Sequence, residues 1–254
     1  MKPSRIAWFF ASLLVACGFV MLWQYLSDAR LVSPVFLPGP DRAWAALVRG
    51  ITQGELGARW LGTIERMIYG WLLASFAGIV IGAFIGSSER ARAYVGPMLE
   101  LIRPLPASAV VPLAISLLGL SEAMVLTVIG FGALWPMLLS TVHGFAAVEP
   151  RLYEVSRALG LPQWKVILKI ALPSSMPDIV AGMRLALTVS LILTVIGEML
   201  ASREGLGSHI LISARSFRSA DLFAGVILLG VTGYVSAMAL TLAESRLLRW
   251  RESH

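Results

Sequence analysis

Glu149–Pro173 reads EPRLYEVSRALGLPQWKVILKIALP, a charged stretch between two long apolar blocks. Arg151, Glu154 and Arg157, then Lys165 and Lys169, recur at helical spacing, which predicts two short amphipathic helices. Gly160 separates them: a glycine after Ala158-Leu159 takes the left-handed conformation that ends a helix, and Pro162 suits the next first turn because it has no donor to lose. Leu172-Pro173 is expected to stop the second helix.

The surroundings of this stretch look like membrane. Of 254 residues, 57% are hydrophobic and 14% charged, with a mean hydropathy of +0.78, more apolar than a soluble domain needs. A span takes about 20 apolar residues, so the chain has room for five or six within one membrane domain over 1–254. The net charge of +6 comes without a run of like charges or interleaved aromatics, which excludes nucleic-acid binding and fits a bilayer surface. Cys17 is the single cysteine, so there is neither an internal disulfide nor a cysteine-based zinc site. No catalytic pattern emerges. A glycine-rich phosphate loop with its lysine is absent, and Gly205-x-Gly207-Ser208-His209 is not a nucleophile elbow. The reading is a non-enzyme that binds no cofactor itself.

Met1–Leu26 has Lys2 and Arg5 ahead of an apolar run, and Leu14–Cys17 is similar to a lipoprotein cleavage box. The chain stays apolar from Gly18 to Leu26, so the segment is read as the first span. Arg42–Ile51 suits an interfacial helix. The second span, about 62–86, carries Gly70, Ala74, Gly78, Gly82 and Gly86, a small-residue face for close packing within the chain or against a second copy. Ser87–Arg92 is expected to be a polar turn. The third, about 97–118, contains Pro97, Pro104, Pro106 and Pro112 and cannot be one regular helix. A fourth runs from Ala123 to about Thr141, followed by His143 as a surface or capping residue. The fifth covers about 178–200 and the sixth about 222–242, ending in Glu244, Arg246, Arg249 and Arg251. Arg66, Arg103 and Arg184 are placed at span edges, and 203–220 as a polar loop with Arg203, Arg215 and Arg218. Those arginines either draw in an anion or contact lipid or a partner.

Ser190, Thr194 and Glu198 stand four apart and form a polar line on one face of the fifth span. Either Glu198 lines a translocation path, or it lies at headgroup level, capping or pairing with Arg203.

The spacing Glu154-x-x-x-x-x-Gly160, then Ile170-x-Leu172-Pro173, resembles the EAA loop of binding-protein-dependent ABC importer permeases. Val155 and Ser156 stand where that family has alanines. Leu37-Pro38-Gly39-Pro40 and Ile179-x-x-Gly182-x-Arg184 are similar to segments of that family, and Arg103-Pro104-Leu105-Pro106 with Val111-Pro112-Leu113 and Gly119 resembles a run of its nitrate, sulfonate and taurine branch. Leu117-Leu118 replaces that branch's tryptophan-phenylalanine. The resemblance implies an all-α membrane protein of about six transmembrane helices with the type I ABC importer permease fold, its coupling helices cytoplasmic. It implies that Glu154, Ser156, Arg157, Ala158, Leu159, Gly160, Leu161 and Trp164 couple to an ATPase, and that a small anionic solute crosses the path. ATP and magnesium then belong to the partner ATPase, present in two copies. A second permease copy and a periplasmic substrate-binding protein complete the assembly. The location implied is the bacterial inner membrane, with both termini cytoplasmic. That topology puts more lysine and arginine inside than outside. A secondary transporter and a non-transporting membrane scaffold are the alternatives.

Overall fold

The computed structural model describes residues 5–102 and 104–248, so the expectations for Lys2, Arg103, Arg249 and Arg251 lie outside the described residues. Among the described residues there is no strand. The helices are α1 (Arg5–Asp28), α2 (Pro40–Thr52), α3 (Leu56–Gly86), α4 (Glu89–Ile102), α5 (Val111–Leu118) and α6 (Glu122–Ala146), followed by α7 (Pro150–Ala158), α8 (Gln163–Val166), α9 (Leu172–Ala201), α10 (Leu206–Arg215) and α11 (Ser219–Leu247). Among the described residues, five helical runs are long and apolar enough to cross a bilayer: Phe10–Asp28, Leu56–Gly86, Glu122–Ala146, Gln163–Ala201 and Ser219–Leu247. The broken pair 89–102 and 107–118 makes a sixth when counted as one span.

Several boundaries differ from the sequence expectation. Helix α3 begins at Leu56 rather than Gly62, and an Arg59–Glu55 ion pair at 2.9 Å joins its first turns to the preceding residue. The turn expected at 87–92 is already helical from Glu89, because the Ser88 hydroxyl accepts the Ala91 N–H at 3.3 Å and caps α4. Pro97 sits inside α4, where one proline costs a single backbone hydrogen bond. The break falls after Ile102, where Pro104 and Pro106 follow closely, and Gly119 at φ +65° ends α5. Helix α6 continues past Thr141 to Ala146, leaving His143 exposed in its last turn. The polar stretch 203–220 contains α10, whose Leu206 is buried.

The described residues form two compact units, one within 1–61 and 204–230 and the other within 62–203 and 231–254. In the first, α2 buries Ala43, Ala46 and Leu47, the last two in a cluster with Leu56, Leu206, Ala224 and Leu228. Trp23 Nε1 donates to the Pro38 carbonyl at 2.9 Å and its ring meets Phe223 at 5.3 Å. His209 donates through Nε2 to the Asp221 carbonyl at 3.2 Å, and burial lowers its pKa.

The second unit is built on α3, α6 and α9. Gly70, Gly78, Gly82 and Gly86 of α3 meet Ile129, Met137, Thr141 and Phe145 of α6 in the same order, so the two helices run parallel. Gly144, Gly182, Gly132 and Gly197 pair α6 with α9 in the reverse order, through Asp178, Ser140, Leu193 and Val125, so α9 is antiparallel. The small-residue face of α3 is therefore used within the chain. Its closeness has a cost for any larger side chain: a Cβ on Gly82 would lie 2.6 Å from Thr141 Cβ and 2.9 Å from the Leu138 carbonyl oxygen. Gly82→Leu is expected to lower the unfolding midpoint of the purified chain through about 1–3 kcal/mol of overpacking. Gly130→Leu, where a Cβ meets nothing within 4 Å, should leave it near wild type; equal midpoints would contradict this packing.

Candidate functional site

The charged stretch folds as two helices around a tight turn. Gly160 has φ +61°. Its N–H donates to the Arg157 carbonyl at 3.0 Å, and the Leu161 N–H reaches back to the Ser156 carbonyl at 3.0 Å. That pair of bonds is a Schellman closure, which satisfies the last carbonyls of α7. Pro162 is extended and leads into α8. Leu172-Pro173 does not end the second helix. Residues Ile167–Ala171 form a π-helical turn that carries α8 directly into α9. Pro173 then falls in the first turn of the resumed α pattern, where a missing N–H is tolerated, while Ala171 is fully buried in the core. The result is one helical run, 163–201, of 39 residues.

Of the residues assigned to coupling, Glu154, Arg157, Ala158, Leu159, Gly160 and Trp164 are exposed and Leu161 is half-buried. Ser156 differs: it is buried, and its hydroxyl donates to the Tyr153 carbonyl at 2.8 Å, so it braces α7 instead of offering a contact. Exposed Leu159, Val155 and Trp164 give the loop an apolar outer surface, with Lys165 Nζ 5.4 Å from the Trp164 ring centroid. Beneath the loop lies a cavity of about 560 Å³ lined by Ser87, Arg92, Phe145, Tyr153, Arg157 and Ile167, among others. Burial raises the Tyr153 pKa, and nearby Arg92 opposes that shift.

The other charged feature stands at the far end of the same helices. Because α6 enters the loop and α9 leaves it, the start of α6 and the end of α9 lie together, roughly 36 Å from the loop at 1.5 Å per residue. There, Glu198 is 0% exposed. Its carboxylate accepts from Thr63 Oγ1 at 2.9 and 3.1 Å and from Arg66 at 3.0 Å. Arg66 also donates through Nε to Glu122 at 2.6 Å, and Arg203 stands 3.6 Å from the other Glu122 oxygen. Arg66 is thus inside the helix packing, not at a span edge. Arg203, considered as a partner for Glu198, faces Glu122; only its backbone N–H meets the Glu198 carbonyl, at 3.2 Å.

Ser190 and Thr194 do share a face with Glu198, and all three are buried. Their hydroxyls donate to Ala186 and Ser190 carbonyls at 2.8 and 2.7 Å, so in this conformation the line is an internal seam. Arg184, also placed at a span edge, lies within α9 and pairs with Glu244, with Thr241 at 3.4 Å. Sequence reasoning missed Thr63, Arg66 and Glu122. The available signal was the charged pair Glu65-Arg66 interrupting an otherwise apolar span. No group of metal ligands occurs among the described residues.

Spans packed through glycines, with a structured polar loop joining the two helices of the core, are the architecture of a membrane permease subunit. Residues 74–249 match the family of binding-protein-dependent transport system inner membrane components. Among relatives, the Bacillus subtilis permease SsuC, named for aliphatic sulfonates transport, is 32% identical, covering 100% of this chain and 92% of its own. The Escherichia coli taurine transport system permease TauC is 26% identical over 90% of this chain and 85% of its own. The Synechococcus elongatus bicarbonate transport system permease CmpB is 26% identical over 85% and 81%. Two solved structures share the fold, both at 16% identity. The MetNI methionine ABC transporter has a TM-score of 0.59, covering 83% of this chain and 98% of that one. An amino acid ABC transporter has 0.57, covering 82% and 95%. The chain belongs to the binding-protein-dependent ABC importer permeases: it is a membrane-spanning, non-enzymatic transport subunit that works with a separate ATP-binding subunit and a binding protein.

Proposed function

We propose that the chain, paired with a second copy of itself and two ATP-binding subunits, carries a small organic or inorganic anion of the sulfonate, taurine or nitrate class inward across the bacterial inner membrane. A periplasmic binding protein delivers the solute. Both termini and the α7–α8 loop face the cytoplasm. The chain binds no cofactor, and ATP with magnesium acts on the partner.

The observation that carries this reading is the loop itself. Its exposed face, Glu154, Arg157, Leu159 and Trp164, is available for docking, and its second helix continues unbroken into the core helix α9. Closure of the ATPases would draw two docked loops together and move α9 as a lever, opening the path toward the binding protein; hydrolysis would reset it. The anion class rests on relatives named for sulfonate, taurine and bicarbonate transport.

Purification of the tagged permease from cells expressing the ATPase and binding protein tests the assembly. The expected product is a complex holding two permeases and two ATPases; a permease that never retains an ATPase would contradict it.

A further inference from the structure

The two carboxylates of the buried network are held very differently. Glu198 has no exposed surface, and Thr63 and Arg66 both bond its carboxylate. Pulling it out would strip a buried charge of its partners. The Glu122 side chain is 41% exposed and sits on the open rim between Arg66, 15% exposed, and Arg203, 40% exposed. The Arg203–Glu122 pair, half-exposed on both sides, separates at little cost. A motion that parts the start of α6 from both α3 and the end of α9 therefore releases Glu122, while Arg66 stays with Glu198. What remains is two guanidiniums against one carboxylate, a site with net positive charge and donors that match an oxyanion.

We propose that Glu122 is a built-in stand-in for the transported anion: its carboxylate closes an Arg66–Arg203 clamp that, once parted, receives the monoanionic oxyanion group of the solute. The clamp rests on the anion-import reading given above. Glu122 then acts as an internal competitor that keeps the clamp neutral when no solute is present and displaces the solute onward when the helices close again. Glu198 and Thr63 are positioning residues that fix the Arg66 guanidinium, so the clamp is preorganised on rigid helices.

The test uses the assembled importer in nanodiscs, with methanesulfonate as the probe and chloride at equal ionic strength as the control. Binding is read as a saturable rise in unfolding midpoint. Glu122→Gln, which removes the competing charge, is expected to tighten the apparent dissociation constant by about fivefold or more, the lower range of coupling between competing ligands. Adding Arg203→Gln should abolish that gain. In the unmodified protein, methanesulfonate should also protect Arg203 from an arginine-modifying dicarbonyl, read by mass spectrometry, which does not depend on either variant folding. Unchanged affinity in Glu122→Gln, or no protection of Arg203, overturns the clamp. If ATP-driven sulfonate uptake persists in that case, only the clamp fails; if the unmodified importer takes up no anion, the function reading fails.

Discussion

Arg66→Met should lower the stability of the purified permease by about 3–5 kcal/mol, the usual result of removing one partner from a buried ion pair. The reason is Glu198. Its carboxylate is fully buried between helices, and the substitution leaves the Thr63 hydroxyl at 2.9 Å without the cation. Methionine fills much of the arginine stem's volume, so the loss reports the unpaired charge more than a cavity. Replacing both partners, Arg66→Met with Glu198→Gln, is expected to recover most of the loss, because the neutral amide still accepts from Thr63 and carries no desolvated charge. Folded yield and unfolding midpoint in detergent measure this. A double variant as unstable as the single one would show that Arg66 acts by another route.

Gly160→Val should separate ATP hydrolysis from transport. At φ +61° a β-branched residue is strongly disfavoured, while a Cβ there meets nothing within 4 Å. The effect is therefore on backbone conformation and not on packing. Valine is expected to shift the turn away from its Schellman closure, on the order of 1–2 kcal/mol or more, which is about a tenfold change in population. The angle between α7 and α8 would change while the spans, packed elsewhere, still insert. In proteoliposomes containing the whole importer, ATP hydrolysis should continue while solute uptake falls about tenfold. Gly160→Asn, which tolerates this region, should retain most of the uptake. Full coupling in the valine variant would count against the turn as the transmission point.

The fold was legible wherever one local signal sufficed. Runs of apolar residues located the spans, and Gly160 with Pro162 located the turn that the backbone adopts. Proline was less informative. Its effect depends on position in the helix, so Pro104 and Pro106 lie in the real break whereas Pro97, Pro136 and Pro177 lie inside helices. The expected stop at Pro173 failed because a π turn just before it set the register in which a missing donor costs little.

The charge network was only partly legible. Glu198 stood out as an acid in a span, but its partners are 132 and 135 residues away in sequence, on α3. Periodicity within one helix cannot report such pairings. The parallel register of α3 on α6 brings Arg66 to Glu122, and that register rests on glycine contacts visible only once the helices are packed. Likewise Ser156 shares the loop's helical spacing with exposed residues, yet faces inward because α7 packs one side on its own chain.

Uptake of radiolabelled taurine or methanesulfonate by proteoliposomes, with permease, ATPase and binding protein supplied together, measures ATP-driven import through this chain. Accumulation is expected to require ATP on the side of the α7–α8 loop and binding protein on the opposite side, and to disappear when the ATPase is omitted. Accumulation that persists without the ATPase, driven by an ion gradient, would contradict it.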